Sequence, residues 1–353
     1  MLLGFLGGLT LLIAGAEALV RGASRLAASF GVSPLVIGLT VVAFGTSAPE
    51  MAVSVQAARA GNPDLAFGNV AGSNICNVLL ILGLSACVAP LVVAKKVIRQ
   101  EVPVMIGVTL VAVFLAWDGV VGRVDGLLLV AGLLAYATIQ IVQGRREGGD
   151  ALEEAAAPPA PPNRLLAGLA VLFGLAMLVL GSRLFVGAAT DLARLLGLSD
   201  LVIGLTVVAL GTSLPEVATS VLATVRGERD IAVGNVVGSN VFNLLGVLGL
   251  ASAASSHGVP VAPGAMAFDV PVMVATAVAC LPIFFTGHRI SRWEGVLFLG
   301  YYGAYVAYLV LAAARHDALH DFTGTMAVYV LPLTVVTIGV SVLRAVRARR
   351  TAP

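Results

Sequence analysis

Apolar residues run along this chain in long stretches, separated by short clusters of charged, glycine and proline residues. Eleven of these stretches reach about 20 residues, the length that an α-helix needs to cross a bilayer. The predicted spans cover residues 3–27, 34–59, 65–89, 99–117, 122–143, 164–193, 200–225, 231–255, 268–286, 293–313 and 324–343. The pattern therefore predicts an all-α polytopic membrane protein.

The chain also contains an internal repeat. Residues 31–54 and 197–220 are identical at 18 of 24 positions, at a constant offset of 166. The same offset relates residues 68–77 to residues 234–243. Each copy holds five predicted crossings and, since five is odd, the second copy enters the membrane from the opposite side. The sequence predicts two inverted five-helix repeats, which are typical of secondary transporters with a midplane substrate site, although channels also use such symmetry.

Four segments follow from the repeat. The first repeat unit covers residues 1–143 and the second covers 164–313, with a cytoplasmic linker at 144–163 between them. Charge, alanine and proline mark the linker as a solvated segment. Residues 314–353 hold one extra C-terminal membrane helix and a basic tail. With the N-terminus outside, 16 of the 21 Lys and Arg residues face the cytoplasm, which predicts an N-out, C-in orientation.

Composition narrows the class of protein. Hydrophobic residues make up 59% of the chain and charged residues 11%, whereas soluble domains carry about 25% charged residues. A net charge of +2 gives no reason to expect a nucleic-acid partner. Three cysteines within apolar spans are predicted to be buried thiols. The lipid bilayer is the expected surrounding, a bacterial inner membrane by composition, and neither a cofactor motif nor an obligate protein partner is evident.

Two copies of one motif lie in the middle of membrane spans: GTSAPE at 45–50 and GTSLPE at 211–216. The proline lacks an N–H, so the carbonyl of each motif's glycine loses its helical partner and needs another donor or a cation. A carboxylate at this depth costs at least about 2.5–3.5 kcal/mol. Because Glu50 and Glu216 recur together through the repeat, a functional role is favoured over a structural kink.

Other oxygen donors accompany the two glutamates at helical spacing, where residues i, i+3 and i+4 share a face. The predicted metal-binding set is Glu50, Glu216, Thr46, Thr212, Ser47, Ser213, Ser73, Ser239, Asn77 and Asn243, with the backbone carbonyls of Ala43 and Ala209. Further amides stand nearby at Asn69, Asn74, Asn235 and Asn240. An all-oxygen set selects hard cations such as Na⁺ and Ca²⁺. Two carboxylates balance one Ca²⁺ or two Na⁺.

The paired motifs, GTSAPE with GNVAGSNICN and GTSLPE with GNVVGSNVFN, closely resemble the two α-repeats of the Na⁺/Ca²⁺ exchangers of the cation/Ca²⁺ antiporter superfamily. The resemblance covers the ten helices of both repeats. It implies a ten-helix core in which the second, third, seventh and eighth helices surround the ions. It further implies that Glu50 and Glu216 hold Ca²⁺ and central Na⁺ ions, that the hydroxyls complete the ion shells, and that Asn77 and Asn243 line the centre.

The resemblance implies an electrogenic secondary antiporter that exchanges Na⁺ for Ca²⁺ by alternating access, with sliding of the first and sixth helices. An alternative is antiport of H⁺ against Ca²⁺, or of another divalent cation, on the same scaffold. Proton-coupled relatives resemble GNATE where this chain has Thr and Ser, which favours Na⁺. A passive channel is less favoured because the chain offers one site with paired acids. An enzyme is the weakest reading, since no nucleophile–base set accompanies the acids.

Three features depart from the family or stand apart from the site. Some members carry Asp at the position of Asn243, and its absence here argues against K⁺ co-transport. The linker is too short for the Ca²⁺-sensor domains of some relatives, and the eleventh helix lies outside the ten-helix core. Glu17 and Arg183 are equivalent by the repeat but opposite in charge, so they either pair near the symmetry axis or reach the interface separately.

Overall fold

The computed structural model describes residues 2–60, 64–154, 163–196, 203, 207, 209–316 and 318–351. In this part of the chain nine helices are long and apolar enough to cross a membrane. A bent pair, Pro34–Thr46 with Ala48–Arg59, makes a tenth span. The seventh predicted span lies partly outside the described residues and ends in the apolar helix Leu214–Val225. The predicted all-α membrane fold is confirmed.

We number the helices by span, so that consecutive helical pieces share one label. They are α1 (Leu2–Phe30), α2 (Pro34–Ile37, Gly38–Val42, Ala43–Thr46, Ala48–Arg59), α3 (Asp64–Cys76, Asn77–Leu82, Gly83–Val88), α4 (Val97–Glu101, Val102–Leu115), α5 (Arg123–Glu154), α6 (Arg164–Leu195), α7 (Ala209–Gly211, Leu214–Val225), α8 (Arg229–Phe242, Asn243–Leu248, Gly249–Ala254), α9 (Ala265–Asp269, Val270–Phe285), α10 (Arg292–Ala313) and α11 (Ala318–Thr325, Met326–Val330, Leu331–Thr351). Helix α5 continues to Glu154, so the first part of the predicted linker is helical. Residues 155–162 lie outside the described residues.

Two short antiparallel sheets show that the repeat is inverted. Strand β1 (Leu91–Val92) pairs with β4 (Arg289–Ile290), and β2 (Val120–Val121) pairs with β3 (Val259–Pro260). In the repeat, β1 corresponds to β3 and β2 to β4. Each sheet therefore joins unlike loops of the two copies, which places equivalent loops on opposite sides of the membrane. A parallel repeat could not form these pairs.

Helices α1 and α6 pack backbone against backbone. A Cβ atom added to Gly15 would lie 2.9 Å from the carbonyl oxygen of Gly174, closer than real Cβ atoms approach. One added to Gly181 would lie 2.9 Å from the carbonyl oxygen of Gly8. Small residues allow such close approach between membrane helices. The contact residue number falls from 15 to 8 in α1 while it rises from 174 to 181 in α6, so the two helices form a tight antiparallel pair.

The centre of the molecule is formed by α3 and α8. The membrane-crossing part of α8 is 100% buried and that of α3 is 78% buried, whereas the value for α10 is 6%. Helix α11 has no fully buried residue in its membrane-crossing part and is joined to α10 by a hydrogen bond from the Tyr301 hydroxyl to Thr334 Oγ1 (2.6 Å). The extra helix is therefore peripheral, as predicted, and whatever α3 and α8 carry lies deepest in the protein.

Candidate functional site

Both GTS–PE motifs break their helices. The two halves of α2 meet at an angle of 43° at Ser47, whose ψ of 2° is not helical. Ser213 has the same conformation in α7, with a ψ of 2°. The proline that follows each serine lies in the first turn of the next helical piece, where a missing N–H costs no hydrogen bond. Glu50 and Glu216 therefore lie in the first turn of a helix, where the helix dipole favours a negative charge.

The carbonyl freed by the second break has a protein donor. The hydroxyl of Ser182 in α6 donates to the carbonyl oxygen of Gly211 at 2.5 Å. At the repeat-related position in α1 stands Ala16, whose side chain has no hydroxyl. The predicted need for a donor or a cation is thus met by a donor in the second copy, through a residue that the first copy lacks.

The predicted side-chain ligands are almost all buried. Glu50 and Glu216 are each 1% exposed, although the charged form of a carboxylate is costly to bury. The other buried members of the set are Thr46, Ser47, Ser213, Ser73, Ser239, Asn77 and Asn243, and Thr212 is half-buried. The described residues include no group of three His, Cys, Asp or Glu side chains suited to a metal. The site therefore combines two acids with neutral oxygen donors.

Hydrogen bonds cross between the repeats at the two carboxylates. The hydroxyl of Ser47 donates to Glu216 Oε1 at 3.3 Å. In the mirror arrangement, the hydroxyl of Ser213 donates to Glu50 Oε1 at 3.1 Å. Each carboxylate is thereby fixed by the helix break of the opposite copy. Ser213 also reaches Ser73 Oγ in α3 at 3.3 Å, which brings a third predicted ligand to the same place.

A second set of hydrogen bonds connects each motif threonine to an asparagine and a serine of the other repeat. Thr46 Oγ1 donates to Asn235 Oδ1 at 3.0 Å, and Asn235 Nδ2 donates to Ser220 Oγ at 2.9 Å. The repeat-related chain runs from Thr212 to Asn69 and on to Ser54, with distances of 3.4 Å and 2.9 Å. Ser54 and Ser220 were missing from the predicted site, although they are identical residues at the end of the 24-residue repeat.

Asparagines link α3 to α8 at the centre. Asn77 Nδ2 donates to Asn240 Oδ1, and Asn243 Nδ2 donates to Asn74 Oδ1, both at 3.0 Å. Asn77 and Asn243 also begin the π-helical turns of their helices. Such turns are frequent at functional sites because they redirect side chains. The local backbone therefore sets the two central amides in equivalent positions.

Several buried oxygens of the site have no donor. They are Glu50 Oε2, Glu216 Oε2, Asn77 Oδ1, Asn243 Oδ1 and Ser239 Oγ. The first four form two repeat-related pairs that can only accept or coordinate, unless a carboxylate takes up a proton. A buried acceptor without a partner is costly, and a hard cation satisfies it directly. The arrangement is suited to cations held by oxygen ligands.

The two predicted backbone ligands are less well defined. The carbonyl of Ala43 already accepts the N–H of Ser47 at 3.0 Å and lies 3.4 Å from the Thr46 hydroxyl, so a cation would compete with that hydroxyl for its second lone pair. Ala209 begins a short helical piece, and most residues just before it lie outside the described residues. Coordination by these two carbonyls stays a prediction.

One sequence alternative is wrong: Glu17 does not pair with Arg183. Its carboxylate receives two contacts from Arg226, at 2.8 Å and 2.7 Å, and a third from Arg21. The antiparallel register of α1 and α6 places Glu17 opposite residue 172. Arg183 lies 11 residues further along α6, which amounts to about 16 Å of helix.

Two further membrane carboxylates were not predicted. Glu101, which is 1% exposed, accepts hydrogen bonds from the Tyr136 hydroxyl (3.1 Å) and from Gln140 Nε2 (2.7 Å). Its counterpart Asp269 accepts one from the Tyr305 hydroxyl at 2.9 Å. The repeated sequence Val-Pro-Val-Met after each acid was the available signal. These acids join α4 to α5 and α9 to α10.

Comparisons with known proteins identify the family of the chain. The family model described as "Sodium/calcium exchanger protein" matches residues 1–142 and 166–311. The CaxA protein of Alkalimonas amylolytica is 40% identical over 309 residues, covering 83% of this chain and 95% of the relative. The sodium/calcium exchanger MaX1 of Methanosarcina acetivorans is 32% identical, covering 86% and 96%. The solved structure of the sodium-calcium exchanger NCX_Mj is similar with a TM-score of 0.75 at 34% identity, covering 87% of this chain and 97% of that one.

Proposed function

This chain belongs to the sodium/calcium exchanger protein family and is a Ca²⁺ antiporter, and from that premise we propose that it extrudes Ca²⁺ by exchange for Na⁺. The observation that carries the proposal is the set of buried, unpaired oxygens in two repeat-related pairs, two of them on carboxylates. The protein is a multi-pass membrane transporter and not an enzyme. Its substrates are the transported ions.

In this proposal Glu50 and Glu216 supply the charge. Their two Oε2 atoms have no donor, so one Ca²⁺ between them would be balanced by two full negative charges. The amide oxygens of Asn77 and Asn243, which occupy equivalent positions in the two repeats, are neutral acceptors without a donor. Ca²⁺ takes six to eight oxygen ligands in flexible geometry, which a mixed set of carboxylates, amides and hydroxyls can supply.

The serine and threonine hydroxyls favour Na⁺ as the coupling ion. In the hydrogen bonds between serines and glutamates, each hydroxyl directs its hydrogen at a carboxylate and keeps lone pairs for a cation. Protons would need only the two carboxylates, whereas Na⁺ uses the neutral oxygens as well. MaX1 carries the name sodium/calcium exchanger, which supports the same choice. Antiport of H⁺ against Ca²⁺ remains the alternative.

Charge balance makes exchange voltage-dependent if three Na⁺ replace one Ca²⁺. Two carboxylates cancel the charge of two Na⁺, so the third leaves the Na⁺-loaded carrier with one positive charge. Moving that charge across the membrane is worth about 2.3 kcal/mol per 100 mV. An interior-negative potential would therefore drive Na⁺ inward and Ca²⁺ outward.

Purified protein in liposomes tests the coupling ion. Vesicles loaded with Na⁺ are placed in ⁴⁵Ca²⁺, and outward Na⁺ and outward H⁺ gradients are imposed separately. We expect uptake with the Na⁺ gradient alone, and faster uptake when a K⁺–valinomycin potential makes the interior positive, because the net positive charge then leaves with Na⁺. Uptake with the H⁺ gradient alone would leave the protein a Ca²⁺ antiporter and refute Na⁺ coupling.

We also propose the N-out, C-in orientation in a bacterial inner membrane, because 16 of the 21 Lys and Arg residues then face the cytoplasm. Replacing the native cysteines and adding one after residue 353 allows labelling in intact cells. A membrane-impermeant maleimide should fail to label that cysteine until the cells are opened. Labelling of intact cells would reverse the orientation.

A further inference from the structure

The amide of Asn69 joins the two repeats through a directed set of hydrogen bonds. Its Nδ2 donates to Ser54 Oγ at 2.9 Å and to the Glu50 carbonyl at 3.4 Å, both within its own repeat. Because a carbonyl can only accept, the nitrogen of the amide must face it, which fixes the orientation of the group. Asn69 Oδ1 consequently faces the other repeat, where Thr212 Oγ1 lies 3.4 Å away.

Since Asn69 Oδ1 carries no hydrogen, the hydroxyl of Thr212 must donate to it and turns its lone pairs elsewhere. In the mirror chain the shortest hydrogen bond of the Thr46 hydroxyl goes to Asn235 Oδ1, at 3.0 Å, and the carbonyls of Val42 (3.1 Å) and Ala43 (3.4 Å) are its other acceptors. We propose that Asn69 and Asn235 are positioning residues that direct the hydroxyls of Thr212 and Thr46 so that their lone pairs receive Na⁺. This inference rests on the proposed function.

The test is a double-mutant cycle with Asn69→Ala and Thr212→Ala in liposomes, with the half-saturating concentrations of Na⁺ and Ca²⁺ measured separately. A lost hydrogen bond of about 1.4 kcal/mol corresponds to a tenfold change. We therefore expect Asn69→Ala to raise the Na⁺ value about tenfold and the Ca²⁺ value less than threefold. In the Thr212→Ala background the effect of Asn69→Ala should disappear.

Additive effects in the cycle, or equal rises for both ions, would show that Asn69 only supports the fold. The matched control is Asn240→Ala, which removes a buried amide of α8 that contacts Asn77 and not a threonine. Its effect should persist in the Thr212→Ala background. A failure of the proposed coupling would instead appear in the unaltered protein, as Ca²⁺ uptake that ignores Na⁺.

An independent observation concerns how α1 is attached to the rest of the protein. Arg226 Nε donates to Glu17 Oε2 at 2.8 Å, and Arg226 Nη2 lies 2.7 Å from Glu17 Oε1 in an ion pair. About two turns further along α1, the hydroxyl of Ser24 donates to Glu228 Oε1 at 2.8 Å. These contacts tie α1 to the end of α7 and to the residues that lead into α8, on the predicted cytoplasmic side.

The repeat has no equivalent of this attachment. At the offset of 166, Glu17 becomes Arg183 and Arg226 becomes Ala60, so a cation replaces the acid and a methyl group replaces the cation. Among the described residues Arg183 makes no ion pair or hydrogen bond. The second copy therefore cannot form the contact, whatever conformation it adopts.

In an inverted repeat, opening to the other side exchanges the conformations of the two copies. A contact between α1 and α7 would then be replaced by its counterpart between α6 and α2. We propose that the ion pair of Glu17 with Arg226 is a latch, a contact that forms in only one of the two access states. It favours the state in which the end of α7 is held against α1, on the predicted cytoplasmic side. Its exposed setting limits the expected shift in population ratio to about two- to fivefold.

Distances between spin labels at Ala28→Cys in α1 and Lys95→Cys in the α3–α4 loop test the latch, in protein without its native cysteines. We expect Glu17→Gln to increase the population of a second distance. The charge exchange Glu17→Arg with Arg226→Glu should restore the original distribution. Adding Ala60→Glu to Glu17→Gln gives Arg183 an acidic partner and should make the second distance dominant.

The latch would be refuted if the distance distribution stayed the same in Glu17→Gln, or if the charge exchange did not restore the original distribution. The measurement needs no transport, so it stands whether or not Na⁺ is the coupling ion. Arg21→Gln is the matched control, because it removes a contact within α1 and leaves the bond to α7 in place. That variant should keep the original distribution.

Discussion

The two repeats are alike at the predicted ion site and different where α1 and α6 lie. The hydrogen bond from a motif serine to the glutamate of the other copy occurs twice, and the two bonds have similar lengths of 3.1 Å and 3.3 Å. By contrast, Ser182 corresponds to Ala16 and Arg183 to Glu17. A site used from both sides of a membrane needs equivalent ligands from both copies. The helices around it are free to diverge, and we propose that they influence the stability of each access state.

The largest effect is expected from breaking the symmetry of the acids. Glu50→Gln or Glu216→Gln removes one of the two negative charges while keeping the shape of the side chain. A divalent cation in a buried site then carries an uncompensated charge, which costs several kcal/mol. We expect each variant to reduce ⁴⁵Ca²⁺ uptake into Na⁺-loaded liposomes by more than about 100-fold, since 1.4 kcal/mol is a factor of ten.

The matched control is Glu101→Gln, because Glu101 is equally buried and two of its donors, Tyr136 and Gln140, can still reach the amide oxygen. Uptake by this variant should stay within about threefold of the unaltered protein. Near-normal uptake by both site variants, or equal loss in all three, would show that charge at Glu50 and Glu216 is not what the ions require.

Much of this architecture could be predicted because its signals are local. Hydrophobic stretches gave the spans, and the offset of 166 gave both copies of the motif with their acids and hydroxyls. The partners of Glu17 could not be predicted, since they depend on the register in which α1 passes α6. That register is set by contacts between glycine backbones, which hydrophobic periodicity does not encode.

Two groups of buried polar residues show the same limit at closer range. Ser54 and Ser220 are visible in the repeat, but only the tertiary structure places each beside an asparagine that reaches across to the other copy. Glu101 lies near the start of a predicted span and was not among the predicted site residues, whereas the structure places it at the end of a π-helical turn, Val97–Glu101, beside the Tyr136 hydroxyl. Side-chain direction at a π-turn does not follow from spacing.

An intermediate effect is expected from the crossed hydroxyls. Ser47→Ala and Ser213→Ala each remove one donor to a carboxylate, and a hydrogen bond to a charged group contributes about 1.5–3 kcal/mol. The half-saturating Na⁺ concentration should rise at least tenfold in each. Ser213→Ala should have the larger effect, since it also loses the contact with Ser73 at 3.3 Å.

Flux measured against Na⁺ concentration on both faces of the vesicle checks this comparison. The double variant should remain folded, which size-exclusion chromatography and helical circular dichroism report. An unchanged Na⁺ dependence in the double variant would mean that these hydroxyls only hold the carboxylates in place and do not coordinate Na⁺.

The smallest effect on transport is expected from Ser182→Ala, which makes α6 resemble α1 at this position. The variant leaves the Gly211 carbonyl without its donor inside the membrane, and an unsatisfied buried acceptor costs about 1–3 kcal/mol. The free energy of unfolding should fall by that amount, while transport per folded molecule stays within about threefold because no ion ligand changes. Thr276→Ala is the matched control. The buried hydroxyl of Thr276 donates to the Met273 carbonyl within its own helix, where no helix break has removed the backbone donor, so the carbonyl does not depend on this hydroxyl. If the two variants lose equal stability, the hydroxyl of Ser182 adds only packing, and the two copies differ less at their helix breaks than the bond to Gly211 indicates.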